Sequence, residues 1–208
     1  MLLNLPIEIL IILIPILVFS LCFHEFAHGY IAYRLGDMTA SRNGRLTLNP
    51  LVHLDPIGSI MLLFVGFGWA KPVPVNPNNF KNPSPDMMKV AIAGPVSNLL
   101  LAFIGGLFIR ISNLIVIEPF IFQSIYLFVH INIALAIFNL IPIEPLDGSK
   151  IFNPLIYKIN PELSLKLELY GPKVLLFIIL LGIITGFSII WIIINPFIKF
   201  FTFLFAGL

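Results

Sequence analysis

A single cysteine, Cys22, leaves no pair for a disulfide and too few thiols for a cysteine-rich zinc site. It lies in an apolar run and reads as a helix-packing residue. Charge is also scarce: 11% of the 208 residues are charged, 59% are hydrophobic, and the mean hydropathy is +1.03. A soluble domain with a polar surface does not have that balance, so most of the chain belongs in lipid. The N-terminus has no basic stretch and no small-residue cleavage site, which argues against a removed signal peptide. No internal repeat or separate soluble domain is visible. The formal charge of +2 says little about partners, and nothing points to nucleic acid.

Several apolar stretches approach or exceed the roughly 20 residues that a helix needs to cross about 30 Å of hydrocarbon. The expected fold is an all-α polytopic membrane protein with about four transmembrane helices, at residues 6–33, 88–110, 120–143 and 174–194. Residues 57–70 are apolar but short, are broken by Gly66-Phe67-Gly68, and run into Lys71-Pro72-Val73-Pro74-Val75-Asn76-Pro77. That stretch is expected to be a re-entrant segment or β-hairpin rather than a stable helix. Residues 195–208 open with Asn195-Pro196 and contain Lys199, which suggests a short interfacial or re-entrant tail.

Lys and Arg orient the spans, because loops rich in them stay in the cytoplasm. Arg34, Arg42, Arg45, Lys71, Lys81 and Lys89 follow the first span, and Lys150, Lys158, Lys166 and Lys173 follow the third; Arg110 and Lys199 face the other way. Both long loops are therefore expected in the cytoplasm and both termini outside. A fifth span in the tail would move only the C-terminus.

The first span ends in His24-Glu25-Phe26-Ala27-His28. A spacing of four puts both imidazoles on one helix face, where they can bind one zinc with Glu25 beside them as general base. From the chain's composition this pattern arises by chance on the order of 0.2% of the time, so the signal is strong. The competing reading, two interfacial histidines with a snorkelling carboxylate, leaves three adjacent polar groups inside a membrane helix without a reason. A catalytic zinc needs a third protein ligand and an open position. Asp147 is the best candidate: Pro142 and Pro145 stop the third helix, and Gly148 permits a turn back toward the first span. The bland reading of Asp147 is a loop carboxylate or a helix cap. Counting about 1.5 Å per helical residue, His28 lies about 9 Å and His24 about 15 Å inside Arg34, and Asn98 about 13 Å inside Lys89. Asn139 ends the third span on the same side, so the polar groups of three spans share one layer. Gly94 and Ser97 would let the second span approach closely.

The sequence resembles the site-2 protease family of intramembrane zinc metalloproteases, and within it the short members lacking PDZ and CBS domains. The resemblance rests on His24-Glu25-Phe26-Ala27-His28, on Gly94-Pro95-Val96-Ser97-Asn98, and on residues 139–148, which look like the family's N-x-x-P-x-P-x-L-D-G pattern. Residues 49–58 and 66–77 also look like the short subgroup. The resemblance implies His24, His28 and Asp147 as ligands of one zinc per chain, Glu25 as catalytic base, and a prokaryotic cell membrane as the location. One departure is Glu144, which stands where related sequences tend to have proline; this second carboxylate could also approach the metal or orient a ligand. Asn139, Asn98 and His53 are candidates for contacting the oxyanion or substrate.

The expected activity is hydrolysis of peptide bonds in membrane-protein substrates, within the bilayer or at its cytoplasmic edge. The whole of 1–208 would be one metalloprotease domain, with a catalytic core at about 6–155 and an accessory span and tail at 156–208. The expected partners are a transmembrane protein or peptide substrate and the lipid bilayer, with the oligomeric state left open. A membrane metal transporter is the main rival, since His and Asp within spans also mark ion pathways. A catalytically silent homologue that binds membrane clients is a third reading, with Glu144 its only hint.

Overall fold

The computed structural model describes residues 5–112 and 117–208. Regular structure among them is helical, apart from one isolated β-bridge between Leu54 and Ala70. Five helices are long and apolar enough to cross a membrane: α1 (Ile7–Arg34), α4 (Pro83–Ser112), α5 (Pro119–Asn139), α7 (Pro161–Thr185) and α8 (Ile189–Ala206). The protein is an integral membrane protein. Between α1 and α4 lie the single turn α2 (Thr39–Arg42) and the ten-residue α3 (Pro56–Val65); α6 (Asp147–Ile159) follows α5.

Helix ends follow local chemistry. Pro6 precedes α1 and Pro119 opens α5, whose first turn is capped when Phe120 N–H donates to the Glu118 carboxylate at 2.9 Å. Helix α5 stops at Asn139, short of the expected 143, because Pro142 has no N–H to continue the ladder.

Two expectations are corrected. Residues 57–70 are not too broken for a helix: Pro56 at the first position and Asp55, whose carboxylate accepts from Gly58 N–H at 2.7 Å, start α3, and Gly66 at φ +82° ends it. The return stretch is not a hairpin; it meets residue 54 through the lone bridge. The expected fourth span, 174–194, is cut in two. Gly186, at φ +72°, ends α7, and Ser188 caps α8 by accepting from Trp191 N–H at 3.2 Å. Asn195 and Pro196 then lie inside α8 instead of opening a tail.

Helices α4, α5 and α8 share an apolar core that includes Ala102, Ile109, Val129, Ile133, Ile194 and Ile198. Gly106 permits the approach, since a Cβ there would lie 2.7 Å from the Phe205 backbone. At the end of α8, Arg110 donates to the carbonyls of Leu204 and Phe205, both at 2.8 Å, which are terminal groups with no partner in their own helix.

Candidate metal centre

Helix α1 presents His24 and His28 one turn apart toward α4, and the first residue of α6, Asp147, reaches both. Asp147 Oδ2 lies 3.0 Å from His24 Nε2 and 3.1 Å from His28 Nε2, and the two Nε2 atoms are 3.0 Å apart. Side-chain exposures of 4, 9 and 12% for His24, His28 and Asp147 put all three almost out of solvent.

Protons decide what this cluster can hold. His28 Nδ1 lies 2.7 Å from the Val90 carbonyl oxygen, which can only accept, so the ring donates there and its Nε2 carries a lone pair. His24 Nδ1 donates to Asn98 Oδ1 at 2.6 Å, with the same consequence. With both rings neutral, two nitrogen lone pairs and a carboxylate oxygen converge at 3.0–3.1 Å, an arrangement that a cation between them would hold together. Space is reserved as well: a Cβ on Gly94 would lie 2.5 Å from both Nε2 atoms. The residues present fit a metal.

Gly148 serves this geometry for a different reason from the one expected. It is helical and is absent from the positive-φ glycines. It is small because a Cβ would come within 2.5 Å of the Leu140 and Ile141 carbonyl oxygens, so its role is to let α6 start hard against the end of α5.

The cluster forms part of the wall of a cavity of about 550 Å³, which Glu25, Asn139 and Lys150 also line. One carboxylate oxygen of Glu25, Oε2, accepts from Val73 N–H at 2.8 Å. Asn139 donates one amide hydrogen to Leu135 O at 2.9 Å. Asn98 is placed behind His24: both of its amide hydrogens are taken, by Asn132 Oδ1 at 2.9 Å and Ser20 O at 3.2 Å. His53 is buried away from this cavity, its Nε2 donating to Thr47 O at 2.8 Å, while its own carbonyl accepts from Lys71 N–H. Glu144 lines a neighbouring cavity with Glu168 and Lys150; among the described residues, the group placed to hold a metal is His24, His28 and Asp147.

Sequence reasoning missed Ser20, Asn132 and Asp37. Asn132 and Ser20 complete the hydrogen bonds of Asn98. A lone amide in the middle of an apolar helix was the available signal. Asp37 anchors the loop: it accepts from Thr39 Oγ1 and N–H, from Asn79 Nδ2 at 2.7 Å and from Asn76 N–H at 2.8 Å. Burial raises its carboxyl, and these donors more than reverse that, leaving it below the ordinary range.

Comparison with known proteins agrees with this geometry. The family described as peptidase family M50 matches residues 105–182, a stretch that contains Asp147 but neither histidine. YwhC of Bacillus subtilis, named as a candidate zinc metalloprotease, is 40% identical over 199 residues, 91% of this chain and 89% of that protein. Rip2 of Mycobacterium tuberculosis, named likewise, is 30% identical over 141 residues, 65% of this chain and 53% of that one. The zinc metalloprotease MJ0392 of Methanocaldococcus jannaschii is 26% identical over 190 residues, 91% of this chain and 48% of its own length. The chain therefore spans about half the length of the last two. No solved structure matches the chain.

Proposed function

Because the chain belongs to peptidase family M50, we propose that it is a zinc-dependent intramembrane endopeptidase that cuts transmembrane protein or peptide substrates within the bilayer or at its cytoplasmic edge. The observation that carries this reading is the convergence of three lone-pair donors at 3.0–3.1 Å on the wall of a cavity that also holds Glu25. Zinc is the metal named for the relatives, and two imidazole nitrogens plus one carboxylate leave the fourth position that a catalytic site keeps open. Bound there, zinc supplies Lewis-acid activation of water and of the scissile carbonyl.

His24, His28 and Asp147 are the ligands. Glu25 is the general base, and because Oε2 is held by Val73 N–H, the proton is received at Oε1. Asn139 is the preferred oxyanion donor, since one of its two amide hydrogens remains after the bond to Leu135 O. Residues 71–76 offer an unwound substrate little edge. Lys71 N–H is taken by His53 O, the Lys71 and Pro72 carbonyls by Arg45, and Asn76 N–H by Asp37. Val75 N–H remains as a donor for pairing, beside the carbonyls of Val73, Pro74 and Val75.

The chain works as one domain, 1–208, with its core in about 6–155, and α3 with its return stretch is re-entrant. Four net crossings fit the contacts. Helix α7 passes the metal-site loop, where a Cβ on Gly171 would lie 3.0 Å from Glu144 N, whereas α8 ends on Arg110 at the far end of α4. Helices α7 and α8 together therefore cross once, and the loops rich in Lys and Arg stay cytoplasmic.

The test is Glu25→Gln in liposomes. The variant should keep its zinc and lose cleavage of a quenched transmembrane peptide. Undiminished cleavage by Glu25→Gln, or metal flux retained by it without any cleavage by wild type, would overturn the proposal.

A further inference from the structure

Behind the metal ligands lies a polar chain that the peptidase reading does not use. Ser20, Asn98 and Asn132 come from α1, α4 and α5, and each is fully buried at 0% exposure. Ser20 is one turn before His24 on α1, so the chain runs deeper into the membrane than the site itself. Its bonds have a direction. His24 Nδ1 donates to Asn98 Oδ1 at 2.6 Å, Asn98 Nδ2 donates to Asn132 Oδ1 at 2.9 Å, and Asn132 Nδ2 donates to Ser20 Oγ at 2.9 Å.

The direction is fixed from its far end. Asn132 Nδ2 also faces the Phe128 carbonyl at 2.9 Å, and Asn98 Nδ2 also faces the Ser20 carbonyl at 3.2 Å. A carbonyl accepts and cannot donate. Flipping either amide would set oxygen against oxygen in a fully buried site, where an unmade hydrogen bond is costly. With Asn132 held, Asn98 must turn its oxygen to His24. His24 must then carry a hydrogen on Nδ1, so that the neutral ring turns its Nε2 lone pair to His28 and Asp147.

We propose that Asn132 and Ser20, acting through Asn98, lock the tautomer and orientation of His24, so that Asn98 and Asn132 are positioning residues for the metal site. The histidine is set before metal arrives, and α5 takes part in metal binding without contributing a ligand. The inference rests on His24 being a zinc ligand.

The experiment measures zinc affinity of the full-length protein in detergent by chelator competition, together with nitrogen-15 histidine NMR. Asn132→Leu removes one of the two acceptors that hold Asn98 Nδ2, leaving only the longer contact to the Ser20 carbonyl, and should weaken zinc binding on the order of 10-fold, the lower end of the effect of losing an outer-shell partner. Asn98→Asp has no donor face to present to His24. In the Asn98→Asp/Asn132→Leu double variant it should therefore recover most of the affinity although the chain is severed. A role of Asn132 in packing alone would leave the double variant as weak as the single one, and that result overturns the proposal. So does unchanged affinity in a folded Asn132→Leu. The NMR arm needs no variant: metal-stripped wild type should show His24 protonated at Nδ1, and protonation at Nε2 sinks the lock even if Asn132→Leu fails to fold. Equal zinc in wild type and His24→Ala would instead sink the ligand assignment.

Discussion

The bundle of α1, α4 and α5 and the pair α7 and α8 are comparably apolar but are held in place by different means. The first three helices are joined by polar contacts: His24 to Asn98, His28 to the Val90 carbonyl, Asn98 to Asn132, and Asn132 to Ser20. The α7–α8 pair meets α4 and α5 mainly through apolar side chains of α8, with polar anchorage on Arg110 at the end of α8 and a long contact from Ser164 to the Asn153 carbonyl at the start of α7. In lipid, apolar surface gains little by choosing protein over acyl chains, so polar groups and close approaches are what specify a position. The metal site accordingly sits where the polar contacts are, and α7 has only three residues buried along its 25.

The comparison breaks most sharply at the ligands. Asp147→Ala should lose most of the zinc and essentially all activity, because two imidazoles alone lack the third protein ligand of a catalytic site. Glu144→Pro, three residues earlier but lining another cavity, should keep both within several-fold. Elemental analysis and peptide cleavage on both variants check this. A metal-loaded, active Asp147→Ala beside a dead Glu144→Pro would mean that the wrong carboxylate has been assigned.

One substitution on one helix separates the two regions. Gly94→Ala places a methyl 2.5 Å from both imidazole nitrogens, where the ligands must shift or the metal must leave, so zinc should fall several-fold or more with a small change in melting temperature. Gly106→Ala, on the same helix, drives a methyl into the backbone of α8 at 2.7 Å. That overpacking should cost about 1–3 kcal/mol and lower the melting temperature while zinc content holds. Equal zinc loss in both would show that the α8 packing and the metal site are one unit.

The same contrast explains what could be read from the sequence. The pairing of His24 with His28 was legible because helical spacing puts both imidazoles on one face, with Glu25 beside them, and the approach of Asp147 because prolines and a glycine mark where the chain must turn. The reason given for Gly148 was the wrong one, since space for a Cβ depends on the Leu140 and Ile141 carbonyls, which no local rule places. Asn98 was legible as polar, but its use was not: only the partners on α1 and α5 show that its hydrogens are spent. The break between α7 and α8 was missed although Gly186 and Ser188 are ordinary stop and start signals. Hydropathy runs on unchanged across them, and the burial that would have told two helices from one is absent.

A smaller effect is expected in the loop that holds the cavity's outer wall. Asp37 sits below its ordinary carboxyl range because donors from Thr39, Asn76 and Asn79 outweigh burial. A depressed folded pKa adds stability above the unfolded value of about 3.9, and that contribution is lost as pH falls through the folded pKa. Hydrogen exchange at residues 37–46 and 74–80 should therefore be faster in Asp37→Asn than in wild type at pH 6, with the gap closing below about pH 4. A gap that persists undiminished at pH 3 would mean that the charge of Asp37 is not what ties the loop down.

The smallest effect belongs to Arg110, the polar anchor at the end of α8. Its guanidinium meets the Leu204 and Phe205 carbonyls at 2.8 Å, so it both satisfies terminal groups of α8 and sets a positive charge at the negative end of the helix dipole. The site is solvent-exposed, which limits the value of such an interaction to about 0.3–1 kcal/mol. Arg110→Gln keeps donors for one carbonyl and removes the charge, whereas Arg110→Leu removes both. The melting temperature should step down slightly from wild type to Gln and again to Leu, and zinc content and cleavage should not move, because α8 contributes no ligand. A loss of zinc in Arg110→Leu matching that in Gly94→Ala would show that the anchor at one end of α4 governs the metal site at the other, and the two regions would no longer be separable.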